Sequence, residues 1–139
     1  MINKHVLYIP IYIISGIIIT GGFTSGGNIT RSVEILRSDG SYWCSLPELP
    51  DDRYRHTQSG LIACGSGNPG NTSTSCLTFA DGEWRISHQL QYRRYEHSAW
   101  TSQLGVVLMG GDSGGSTKTE LLSDIGQSTP YFNLTESTV

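Results

Sequence analysis

Apolar residues fall in short runs bounded by glycine, never at helical spacing. Gly16-Ile17-Ile18-Ile19-Thr20-Gly21-Gly22, Gly60-Leu61-Ile62-Ala63-Cys64-Gly65 and Gly105-Val106-Val107-Leu108-Met109-Gly110-Gly111 each read as a strand. Between them lie shorter strand signals, Ser32–Leu36, Tyr42–Cys44, Ser75–Phe79, Thr119–Leu122 and Tyr131–Leu134. Asp39-Gly40 and Asp81-Gly82 mark hairpin turns, since glycine accepts positive φ there. Pro47 and Pro50 end regular structure and mark a connection.

These signals recur. Arg53-Tyr54-Arg55-His56-Thr57 matches Arg94-Tyr95-Glu96-His97-Ser98 at a spacing of 94 − 53 = 41, and Trp43 matches Trp84 at the same spacing, 84 − 43 = 41. Val33-Glu34-Ile35-Leu36 matches Thr119-Glu120-Leu121-Leu122. A period in the forties with four strand signals per unit predicts a propeller built from repeated sheets. The organising stretch is 53–96, which contains one full unit.

On these residues the chain resembles the kelch repeats. The glycine doublets Gly21-Gly22 and Gly110-Gly111 follow apolar strands, Trp43 and Trp84 come late in their units, and Arg-x-x-His stands at each junction. The resemblance covers residues 16 to 134; Cys64-Gly65-Ser66 departs from the doublet, and Tyr131 or Phe132 takes the place of a third tryptophan. It implies an all-β fold, a partial and open kelch-type β-propeller of about three four-stranded blades. The expected division is an N-terminal apolar segment (1–15) and blades over 16–52, 53–93 and an incomplete 94–139. Three blades do not close a ring, so missing blades or self-association are expected. Trp43 and Trp84 are expected to fill the gaps between blades.

Residues 1–15 place Lys4 before an apolar run, Val6 to Ile14, broken by Pro10. That suits a signal peptide or a stray strand and is too short for a membrane span. The net charge is −3 with no basic stripe, which argues against nucleic acid. Three cysteines, Cys44, Cys64 and Cys76, form no CxxC pair. Cys64 and Cys76 fall on adjacent antiparallel strands and are expected to pair in a secreted protein, leaving Cys44 odd. Sequons at Asn28, Asn71 and Asn133 point the same way, to glycosylation and a secreted or extracellular location, with the cytoplasm as the alternative.

Catalytic patterns are weak. Gly111-Asp112-Ser113-Gly114-Gly115 is similar to the nucleophile segment of chymotrypsin-type proteases over five residues only, and is read as a loop. Tyr54, His56, Tyr95 and His97 resemble the copper-holding pairs of galactose oxidase, but the histidines recur with the repeat and are read as structural. No cofactor or metal is expected. The expected function is a non-enzymatic protein-interaction module, with a protein partner met by Arg53, Arg55, Arg93 and Arg94 on one rim. The alternatives are the remnant of a copper enzyme or a carbohydrate-binding propeller.

Overall fold

The computed structural model describes residues 16–68, 71–112, 117–123 and 128–133. The apolar segment 1–15 and the loop residues 113–116 lie outside the described residues. The described residues are all-β, with eleven strands in three antiparallel sheets. Sheet one holds β1 (Gly16–Thr20), β2 (Val33–Arg37) and β3 (Trp43–Leu46) in sequence order. Sheet two holds β4 (Thr57–Ser59), β5 (Ile62–Cys64), β6 (Ser75–Ala80) and β7 (Glu83–Gln89). Sheet three holds β8 (Ser98–Ser102), β9 (Gly105–Met109), β10 (Lys118–Leu122) and β11 (Ser128–Asn133).

Alternation along each strand decides which side packs. Ile18 and Val33 turn to sheet two and meet Ala63, Leu77 and Trp84, with Leu49 closing the joint. Cys64 and Cys76 turn the other way, to sheet three, and meet Val106, Leu108 and Leu122, with Leu90 in the place Leu49 holds one unit earlier. The same two-sheet joint therefore occurs twice, and the central sheet is covered on both faces. Edge strands β4 and β8 lie side by side: the Thr57 hydroxyl donates to the His97 carbonyl at 2.6 Å, and Ser59 Oγ lies 2.6 Å from Thr101 Oγ1.

The two tryptophans part company. Trp84 is 5 % exposed, packed on Phe79 at 5.4 Å between sheets one and two, whereas Trp43 is 45 % exposed. Trp43 pairs with Leu36 as Trp84 pairs with Phe79, so both sit at one position of the repeat. That position faces the preceding sheet. Sheet one has none among the described residues, so Trp43 stays in solvent with Ile17 and Ile19, and the gap-filling role expected of it is not seen.

Register also refines the repeat. The amides of Gly65 and Gly110 donate to the carbonyls of Ser75 and Lys118, so Gly65 corresponds to Gly110, a spacing of 110 − 65 = 45. Gly65-Ser66 is thus the central counterpart of Gly21-Gly22 and Gly110-Gly111.

Candidate functional site

Each joint between sheets is built from an Arg-x-x-His loop pressed against the glycine pair of the sheet before it. Gly22 N–H donates to the Arg53 carbonyl at 2.7 Å, and Ser66 N–H donates to the Arg94 carbonyl at 3.0 Å. A Cβ on Gly21 would sit 2.4 Å from the Arg53 oxygen, and one on Gly65 would sit 2.3 Å from that of Arg94. Both glycines also hold positive φ, 58° and 73°. Only glycine permits this approach.

The arginine side chains then turn inward. Arg53 and Arg94 are both 0 % exposed. Arg53 donates from Nη1 to the carbonyls of Gly65, Thr72 and Ser75, from Nη2 to Ser75 Oγ, and from Nε to Asp51 at 2.6 Å. Arg94 donates from Nη1 to the Gly110 carbonyl and from Nε to Glu120 at 2.6 Å. The expectation that these two arginines stand on the rim to meet a partner is therefore corrected. Each closes the glycine exit of its own sheet, where the inward-facing carbonyls of the sharp turn meet a buried donor.

Arg55 and Arg93 do stay at the surface. Arg93 Nε donates to Ser73 Oγ at 3.2 Å. Arg55 Nε lies 3.2 Å from Glu96 Oε1, both side chains half-exposed, and the Glu96 amide donates to the Arg55 carbonyl at 2.8 Å. Arg55 and Glu96 occupy equivalent places in successive loops, and both hold left-handed backbone, φ 55° and 53°. For residues with a Cβ that conformation costs roughly 1–2 kcal/mol each. The joint hydrogen bonds hold both loops in it.

Beside this pair lies an aromatic pair. Phe23, 58 % exposed, meets Tyr54 at 4.7 Å between ring centroids, and Arg55 lies 5.7 Å from the Tyr54 ring. Gly67 leaves room for that ring, since a Cβ there would fall 2.6 Å from Tyr54 Cζ. Gly67 N–H donates to the Tyr54 carbonyl, and Asp112 N–H donates to that of Tyr95. The loops after β1, β3, β5, β7 and β9 thus meet along one edge, with Phe23, Tyr54, Arg55 and Glu96 as its outer surface. Phe23 and Glu96 were not anticipated from sequence. Their signals are an aromatic inside a Gly/Ser loop and a charge reversal at a repeated position.

The histidines are structural in placement. The Thr20 hydroxyl donates to Gln58 Oε1 at 2.7 Å, so His56 Nε2–H donates to Thr20 Oγ1 at 2.8 Å. His97, 8 % exposed, has no hydrogen-bond partner on either ring nitrogen. Burial, with the nearby arginines Arg53 and Arg94, lowers both imidazoles to about 4. Tyr54 faces Phe23 on the rim while His56 faces Thr20 inside, so the Tyr–His pair of the copper reading does not converge on one point. Among the described residues no group of three or more His, Cys, Asp or Glu is placed to hold a metal ion.

Cys64 and Cys76 form a disulfide, with Cα atoms 4.1 Å apart on register partners of β5 and β6. Cys44 is free and half-buried. Asn28 is exposed on the β1–β2 loop, Asn71 begins a 3₁₀ turn over Asn71–Thr74, and Asn133 ends β11. No helix among the described residues is long and apolar enough to cross a membrane.

No protein-family model matches the chain, and no curated protein matches it. In fold it is similar to the solved structure of YjhT, with a TM-score of 0.62 at 20 % identity over 83 % of this chain and 42 % of that one. The chain therefore spans less than half the length of that protein.

Proposed function

We propose that the chain carries sheet units of a kelch-type β-propeller and that its loop rim binds a protein partner outside the cell or in another oxidising compartment. The reading is non-enzymatic. One observation carries it: the buried Arg-x-x-His joints hold Phe23, Tyr54, Arg55 and Glu96 along one edge, with Arg55 and Glu96 fixed in left-handed backbone. An exposed Phe23 packed on a half-buried Tyr54 and flanked by an arginine and a carboxylate offers an anchor and directional polar contacts, the mix that dominates protein interfaces. The disulfide supports the compartment. The exposed Phe23 ring favours a saccharide as the second reading.

The test is affinity capture by the wild type, Phe23→Ala and Arg55→Ala in parallel, with a glycan array beside it. A protein held by the wild type and lost by both variants, with circular dichroism unchanged, supports the reading. Equal retention by all three places binding elsewhere, and array binding in place of a protein transfers the rim to the saccharide reading.

A further inference from the structure

The two joints differ in one chemical respect. At the first, His56 is met by Thr20, which in turn bonds Gln58. At the second, the equivalent positions hold Cys64, locked to Cys76, and Ala99. A disulfide sulfur is a poor acceptor and alanine has no polar atom, so both ring nitrogens of His97 stand buried without a partner. The ring is wedged between two glycines: a Cβ on Gly65 would reach 2.9 Å from Cε1, and one on Gly111 would reach 2.9 Å from the His97 Cβ. The charged and titratable groups around it are Arg94 in its own loop, tied to Glu120 of β10, and His56 at the neighbouring joint. Tyr95 and Asp112 border it on the rim side, and the disulfide on the sheet-two side does not titrate.

We propose that His97 is an acid-sensitive latch: neutral, it joins sheets two and three; protonated, it releases them and takes the Arg55–Glu96 rim apart. The inference rests on the rim reading and concerns its regulation. A neutral imidazole is accepted there as a flat apolar wedge. An imidazolium in the same place has two N–H groups without acceptors and the Arg94 guanidinium nearby. Glu96 directly precedes His97, and its amide holds the Arg55 carbonyl, so displacing the ring separates the two halves of the rim. Protonated His56 keeps its Nε2–H bond to Thr20 and leaves one N–H, on the buried Nδ1, without an acceptor, where His97 leaves two.

Amide hydrogen exchange on the unmodified protein tests this without a partner. The Ser66 and Glu96 amides bond across the second joint and the Gly22 amide across the first. Corrected for intrinsic rates, protection at Ser66 and Glu96 is expected to fall about tenfold more than at Gly22 between about pH 7 and pH 4. His97 ring resonances should titrate over the same range. The triple variant Cys64→Thr, Cys76→Val, Ala99→Gln copies the first joint and should bring the loss at Ser66 and Glu96 down to that at Gly22. Uniform protection, or loss at Ser66 and Glu96 while His97 is still neutral, overturns the latch. A partner held at pH 7 and still held where exchange shows the joint open overturns the regulation alone; absence of any rim partner counts against the rim reading and leaves the exchange result standing.

Discussion

Arg94 and Glu120 form an ion pair in which both side chains are fully buried, Nε to Oε2 2.6 Å. Both carboxylate oxygens are engaged: the other accepts the Gln91 amide and the Ser128 hydroxyl. The repeat-equivalent residues show what this pair responds to. Leu77 holds the place of Glu120 in sheet two, and there Arg53 turns to Asp51 instead. Glu34 holds it in sheet one and is exposed.

Removing one partner of a buried pair leaves the other uncompensated. Glu120→Leu is expected to cost about 3–5 kcal/mol in urea unfolding. Glu34→Leu, at the same position of the repeat but in solvent, should stay within about 0.5 kcal/mol. Equal effects would mean that Arg94 does not depend on Glu120.

Without reduction, the chain should show one reactive thiol, Cys44, and three after reduction under denaturing conditions. Cys64→Ala with Cys76→Ala should lower stability by about 3 kcal/mol, the chain-entropy value for a loop of this length. A thiol count of three before reduction would contradict the pairing.

Stability should also fall in acid, with a definite sign. His56 and His97 have folded pKa values of about 4, below their ordinary 6.5, so the unfolded chain binds more protons between those limits. Their contribution is complete above about pH 6.5 and is lost as pH falls towards 4, up to about 3 kcal/mol for each ring. Denaturant midpoints measured across that window, in the wild type and in His97→Gln, check it; a midpoint that rises on acidification contradicts the assignment.

Among the sequons, Asn28 is the one that the described residues place on an exposed loop. Expressed through a eukaryotic secretory pathway, the chain should lose mass on enzymatic deglycosylation, and Asn28→Gln should remove that mass difference. An unchanged difference in Asn28→Gln would place the glycan on Asn71 or Asn133.

Much of this was legible in the sequence because glycine-bounded apolar runs and a 41-residue echo report backbone geometry directly. The all-β class, the strand order and the Cys64–Cys76 pairing follow from those signals. The fate of the arginines does not. Arg53 and Arg55 look alike as letters two positions apart, yet one fills a carbonyl-lined exit and the other faces solvent. The difference depends on a sharp turn at Gly65 that is distant in sequence. Trp43 misled for a related reason: a repeat predicts the same environment for Trp43 and Trp84, but environment is set by the neighbouring sheet. The rim pair Arg55–Glu96 hid behind its charge reversal, which reads as divergence until the two loops are placed side by side.

The central claim is that the rim, and not the hairpin end, meets a protein. A photo-crosslinking residue at position 23 samples the rim; one at position 104, in the β8–β9 turn, samples the opposite end. Irradiation in the presence of the native secretome, followed by mass spectrometry, should give a discrete protein adduct from position 23 and none from position 104. Adducts from position 104 alone, or equal adducts from both, would contradict the account.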